Sequence, residues 1–326
     1  MRIAASASAG VIGADETFIN VIVARTANRR SANRTTGIDS SEVSAFILSP
    51  QAQTLPRVPE APTVIAADGQ LLREVAVLDE SGERRTLQIP VERPLTISID
   101  GRELVTLMTL GAKSELLVLG YLRNQRIVEG TEDIESITID WTAGSAAVSL
   151  RATANGVRAD AQRQVGTACG LGTVFADLMM RVDAAPLPST GTARLSSAAL
   201  LRILEVMREY DAVHRAAGSV HGCALFRDAD LLASIEDVSR HNGLDIITGW
   251  MLLHGVAGAD KTLFTTGRLT GEMVMKAAHN GVPIMVSRNG VTSMGYDLGV
   301  KLGMTLFGRA AKSRYLCYTG AERFDP

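Results

Sequence analysis

From residue 263 onward, apolar residues run in short blocks, and each block ends on a basic residue. Residues 263–267 run into Arg268, 283–287 into Arg288, and 304–308 into Arg309, with Lys312 and Arg314 close behind. Between these blocks, 270–280 and 291–302 repeat apolar positions at helical spacing, and each is closed by a glycine, Gly281 and Gly303. Strand, helix, strand, helix, strand predicts a parallel sheet with crossover helices. Ligands of such sheets bind beyond the carboxyl ends of the strands. Guanidinium groups at that edge predict an anionic ligand, a phosphate ester above all. Simple solvation of loop ends by arginine is the plainer alternative.

Upstream the pattern changes. Residues 74–78, 86–89, 95–99 and 103–107 are short β-type runs, separated by turns at Ser81-Gly82 and Asp100-Gly101. Asp-Gly between two such runs is a strong two-residue hairpin signal. Ser114 is placed to cap a helix with Glu115 in its first turn, and Leu116, Leu117, Leu119, Leu122 and Ile127 form its apolar face. Residues 134–139 and 146–152 read as two further strands. A long amphipathic helix is expected over 195–216, entered through Ser196-Ser197. A hairpin turning at 227–230 follows, and helical pattern resumes from Val238 to about Leu253. Residues 1–60 are rich in Ala, Ser, Thr, Asn and Arg with weak periodicity, one strand at 18–23 excepted. The expected organisation is an extension over 1–60, a strand-rich mixed domain over 61–160 and an α/β domain over 161–326.

Composition narrows the function. The 326 residues are 46% hydrophobic with a formal net charge of −2, ample for a core and unlike a general nucleic-acid binder. No apolar run approaches the roughly 18 residues needed to span a bilayer. Asp15 and Glu16 come too early for a secretion signal, and no apolar segment follows Arg29-Arg30. The cysteines, Cys169, Cys223 and Cys317, are few and odd in number. That fits a reducing compartment rather than a disulfide framework, so cytoplasm is expected.

Three places could carry chemistry. Cys169 sits between Gly166, Gly170 and Gly172, an open loop in which a thiol could be reached by one macromolecule and delivered to another. Cys223 and Cys317 lie in apolar runs and are expected in the core. Residues 236–242, Glu-Asp-Val-Ser-Arg-His-Asn, crowd polar groups at a helix start. There Asp237 is spaced to orient His241, Arg240 could reach an anion, and His221 could join the same cleft. An ordinary charged first turn is the alternative. The chain has no Cys-x-x-Cys and no His-x-Glu, so zinc is not expected, and it has neither a Walker loop nor a dinucleotide fingerprint.

Several stretches together resemble the FdhD/NarQ family of formate dehydrogenase accessory proteins. They are Ala168-Cys169-Gly170, Gly218-Ser219-Val220-His221, the run 236–242, the run 267–278 with Arg268, Glu272 and Lys276, and 306–314 with Tyr318-Thr319. The resemblance spans roughly 90–320. It implies a C-terminal domain of cytidine-deaminase-like, three-layer α/β fold without zinc ligands, beside the small strand-rich domain. It also implies a sulfur carrier: a cysteine desulfurase passes sulfur to a loop cysteine as a persulfide. The sulfur then goes to the bis-guanine-dinucleotide molybdenum cofactor destined for formate dehydrogenase or a related molybdoenzyme. By position, Cys169 matches the persulfide cysteine. Arg309, Ala310, Ala311, Lys312, Ser313 and Arg314 match the cofactor segment, and Arg268, His221, Arg240 and His241 are grouped with it from the residue reading. Where many members carry a second loop cysteine this chain has Gly172, which excludes a relay within the loop. Ser239 stands where the family has glycine, and Arg309 where it has phenylalanine. Neither nucleic acid nor membrane is expected as a partner, and a homodimer is left open.

Two rivals stand beside sulfur transfer. One is a chaperone that holds the cofactor without sulfur chemistry. The other is a hydrolase or deaminase on the same fold, for which the chain offers no metal set and no obvious base–nucleophile pair.

Overall fold

The computed structural model describes residues 63–65, 71–151, 187 and 193–326. The expected extension at 1–60, with its strand at 18–23, and Cys169 with its glycines lie outside the described residues.

The strand-rich part holds β1 (Thr63–Ile65), an antiparallel ribbon of β2 (Leu72–Leu78) and β3 (Arg84–Pro90), and β4 (Arg93–Ile99), β5 (Arg102–Thr109), β6 (Ile134–Asp140) and β7 (Ser145–Leu150). A five-stranded sheet runs in the order β1-β6-β7-β4-β5. Asp100 and Gly101 form the expected β4–β5 turn with φ of 47° and 80°, the left-handed pair that matches the twist of a two-residue hairpin. Leu95, Ile97, Ile137 and Val148 bury one face against Leu117 and Leu122 of α1 (Ser114–Asn124). Ser114 is not the cap of that helix. Lys113 takes the cap position with φ of 52°, and the Ser114 hydroxyl turns back to donate to the Gly111 carbonyl at 3.2 Å.

The expected long helix at 195–216 is broken. After β8 (Leu195–Ser196), the Ser196 hydroxyl accepts from the Ala199 amide at 3.1 Å and starts α2 (Ser197–Tyr210). Asp211 then leaves helical geometry at ψ of 65°, and α3 (Ala212–Ala217) begins. The cause is tertiary. Asp211 is buried and accepts from the Arg288 guanidinium at 2.8 Å, while the Glu236 carboxylate accepts from the Val213 and His214 amides at the new helix start. Burial raises the Asp211 carboxyl above its ordinary pKa, and the Arg288 charge opposes that shift.

The second sheet contains β9 (His221–Arg227), β10 (Asp230–Asp237), β11 (Lys261–Thr265), β12 (Ile284–Ser287), β13 (Thr305–Ala311) and β14 (Arg314–Thr319), in the order β10-β9-β11-β12-β13-β14. β11, β12 and β13 are parallel, as the strand–helix alternation predicts, and β9, β10 and β14 pair antiparallel at the flanks. The central strands bury both faces, so they read as continuous apolar runs. Cys223, Leu225, Leu263, Met285 and Leu306 pack under α4 (Arg240–Leu253), α5 (Gly271–His279) and α6 (Ser293–Leu302). Ala224, Phe226, Phe264, Val286 and Phe307 pack on α2. The result is the expected α/β architecture, a small strand-rich part plus a three-layer part, with β15 (Phe324–Asp325) closing on β8. Cys223 is fully buried, and burial pushes its thiol up to about 12. Cys317, expected in the core, is instead exposed on β14, the strand at the sheet's edge.

The two parts meet where α1 crosses α4, at a contact too close for side chains. A Cβ on Gly120 would lie 1.7 Å from the Asp245 carbonyl oxygen, and one on Gly249 would lie 2.1 Å from that of Leu116. No described helix is long and apolar enough to cross a membrane.

Candidate functional site at the carboxyl edge of the second sheet

The carboxyl ends of β11, β12 and β13 share one edge with the start of β9 and the end of β10, because β9 runs antiparallel to both its neighbours. The loops there are laced together. The Thr266 amide donates to the Gly222 carbonyl at 2.9 Å, the Asn289 side chain to the Thr266 carbonyl at 2.8 Å, and the Arg309 amide to the Asn289 carbonyl at 2.7 Å. This edge brings together His221, Arg240, His241 and Arg268 at one end and the β13–β14 hairpin at the other. β9 and β13 are three strand spacings apart, about 14 Å.

The polar run at 236–242 divides its labour. The Asp237 carboxylate is fully buried and accepts from the Thr109 hydroxyl at 2.6 Å, the Leu110 amide at 2.9 Å, the Ser239 amide at 3.0 Å and the Asn242 side chain at 2.8 Å. Asn242 also donates to the Met108 carbonyl at 2.8 Å. These two residues therefore bolt the end of β5 to the start of α4. Burial raises the Asp237 carboxyl above the usual range, and its donors pull against that. The Ser239 hydroxyl accepts from the His241 amide at 3.3 Å and caps α4. Arg240 and His241 remain for the edge. Asp237 does not orient His241 as the spacing suggested: its carboxylate is taken up by Thr109, Leu110, Ser239 and Asn242, and His241 Nδ1 faces Glu272 at 3.3 Å instead.

The three strand-end arginines are not equivalent. Arg288 is held by Asp211. Arg268 is exposed, and Arg240 lays its aliphatic stem on Gly267, where a Cβ would come within 2.7 Å of it. Among the described residues neither the Arg240 nor the Arg268 guanidinium has a carboxylate in an ion pair, and Arg240 Nε is buried with no hydrogen bond. Burial and then the Arg268 charge push the Arg240 pKa down, and burial followed by Arg240 does the same to His221. Glu272 is the acidic group that acts on Arg240, and it is shared with His241 and Lys276.

The hairpin is a tight β-turn structure. Ala311 pairs with Arg314, and Arg309 and Lys312 adopt left-handed φ of 52° and 56°. Arg309, Ala311, Lys312, Ser313 and Arg314 are exposed, whereas the Ala310 side chain is fully buried against the α2 side of the sheet. Cys169 lies outside the described residues.

A buried chain of charges behind the edge escaped the sequence reading. Lys276 Nζ lies 2.9 Å from Asp245 and 3.4 Å from Glu272. Asn124 donates to Asp245 at 2.7 Å, and Asn280 donates to Asn124 at 3.0 Å. The Glu272–Lys276 spacing of four residues was its only signal in the sequence. Among the described residues no cluster of three or more His, Cys, Asp and Glu is placed to hold a metal ion.

Comparison with known proteins points one way. The model of the FdhD/NarQ family matches residues 90–325. A protein of Geobacillus kaustophilus named sulfur carrier protein FdhD is 30% identical over 239 residues, 72% of this chain and 89% of its own. Its namesake from Halalkalibacterium halodurans is 30% identical over 251 residues, 76% of this chain and 93% of its own. A crystal structure described as a formate dehydrogenase accessory protein from Desulfotalea psychrophila superposes with a TM-score of 0.63 at 25% identity, covering 78% of this chain and 98% of that one.

Proposed function

Because this chain belongs to the FdhD/NarQ family, we propose that it is a sulfur carrier in the maturation of a formate dehydrogenase or a related molybdoenzyme. In this reading the Cys169 thiolate attacks the outer sulfur of a cysteine desulfurase persulfide. A new sulfur–sulfur bond forms on Cys169, and the desulfurase cysteine departs as thiolate, so no external oxidant is needed. The client is the bis-guanine-dinucleotide molybdenum cofactor, whose phosphates dock along the edge described above.

The observation that carries the docking half is a pair of guanidinium groups at the strand ends, Arg240 and Arg268, that no carboxylate holds in an ion pair, with Arg240 Nε buried and without a hydrogen bond. Guanidinium forks suit phosphate, and a charge-assisted hydrogen bond contributes about 1.5–3 kcal/mol. Arg309, Lys312 and Arg314 extend the cationic surface, with the exposed Ala311 and Ser313 among them. Ala310 would contribute only main chain. A chaperone without sulfur chemistry would use the same edge and would differ only in having no task for Cys169.

GDP, which carries the guanosine and diphosphate chemistry of the cofactor's ends, is the probe. It should raise the melting temperature of the wild type in a concentration-dependent way. Arg240→Ala and Arg268→Ala should each weaken GDP binding by about tenfold or more. Equal binding by the wild type and both variants would remove this edge from the docking site.

A further inference from the structure

We infer that Lys276 is a positioning residue: acting through Glu272, it holds His241 at the cationic edge as an uncharged hydrogen-bond acceptor, which selects a ligand bearing an N–H or O–H group beside its anionic one. The inference rests on the docking reading above for the place of the ligand, but not for the state of the imidazole.

The geometry assigns each part. Glu272 uses one carboxylate oxygen toward Lys276, at 3.4 Å, and the other toward His241 Nδ1, at 3.3 Å. Lys276 is buried, and Asp245 anchors it from the far side at 2.9 Å. Nδ1 makes no hydrogen bond, but the carboxylate 3.3 Å away can only accept, so its charge favours the ring proton of a neutral His241 on Nδ1 over Nε2. That leaves Nε2 as an acceptor. Nδ1 is itself buried, so the 22% of the side chain that remains exposed lies on its other atoms.

Facing a carboxylate alone, an imidazole would tend to gain a second proton. The neighbours oppose that. The groups around His241 are Glu272 and Lys276 on α5, Arg240 on α4 and His221 on β9. Burial first, and the Lys276 charge second, push His241 down to about 4, against the pull of Glu272. In a cluster where Arg240 and Arg268 already supply positive charge, a neutral acceptor adds discrimination rather than further attraction. A nucleoside diphosphate offers both partners, phosphate oxygens for the arginines and a hydroxyl or ring N–H for His241.

Nitrogen-15 NMR of the His241 ring tests the assignment. In the wild type it should show the Nδ1–H form at neutral pH and titrate only near pH 4. Lys276→Met alone would leave Asp245 and Glu272 facing each other in the core and could unfold the chain. The charge-balanced pair Asp245→Asn with Lys276→Met avoids this, and it should raise the His241 midpoint by about one pH unit or more. Glu272→Gln should remove the tautomer preference and lower the midpoint. An unchanged midpoint in the charge-balanced variant, or an Nε2–H ring in the wild type, would overturn the role given to Lys276. For the ligand-facing half, GDP affinity should fall about tenfold in His241→Phe and recover in His241→Gln, which can again accept. Equal GDP affinity in the wild type and His241→Phe would overturn that half. Absence of GDP binding to the wild type would sink the docking reading and the ligand half with it, while the NMR result would still decide the positioning role.

Discussion

Alanine at Gly249 is expected to cost this protein about 3 kcal/mol or more and to lower its melting temperature by about 6–10 °C. The added methyl would lie 2.1 Å from the Leu116 carbonyl oxygen and 3.0 Å from the Leu116 Cα, both backbone atoms of α1 that no rotamer change can move aside. Alanine normally favours a helix over glycine by up to about 1 kcal/mol, but that gain is smaller than the cost of forcing two packed helices apart. Gly120→Ala meets the Asp245 carbonyl oxygen at 1.7 Å and should behave at least as badly. The two substitutions strain one crossing, so the double variant should lose less than the sum. Thermal unfolding followed by circular dichroism reads the effect, and unchanged melting in either variant would show that α1 and α4 do not approach this closely.

Asp237→Ala should be of similar size, about 3–5 kcal/mol, for a different reason. It strips a shared acceptor from the Thr109 hydroxyl, the Leu110 and Ser239 amides and the Asn242 side chain, all in a buried setting. Asp237→Asn should not rescue it, because one side of the amide would point a donor at donors. Loss should appear as lower denaturant midpoint and as weakened protection of the α4 amino terminus in hydrogen exchange. Stability within about 0.5 kcal/mol of the wild type would mean that water replaces the carboxylate and that the bolt between β5 and α4 is weak.

These two sites also mark how far the sequence could be read. The parallel unit from β11 to β13 was legible because both strand faces and both crossover helices carry their own periodicity, closed by Gly281 and Gly303. The Asp100-Gly101 hairpin was legible because left-handed backbone demands such residues. The break at Asp211 was not, since helical spacing continues through it and only the buried contact with Arg288 diverts the chain. Cys317 misled because an apolar neighbourhood does not say whether a strand is central or at an edge. In the candidate site, Arg240, His241, Arg268 and His221 lie near one another at one edge. The orientation of His241 was not legible: four residues separate it from Asp237 in sequence, yet Asp237 turns to β5 while Glu272 arrives from another helix. Arg288 looked like its fellows until Asp211, far upstream, was folded onto it.

The most direct measurement is the intact mass of the purified protein after incubation with a cysteine desulfurase and cysteine. The wild type should gain the mass of one sulfur atom, removable by a reducing thiol. Cys169→Ser, with the same melting temperature, should gain none and should fail to support formate dehydrogenase maturation. An unmodified wild type that still binds GDP, or an equal gain in the serine variant, would contradict sulfur carriage on Cys169.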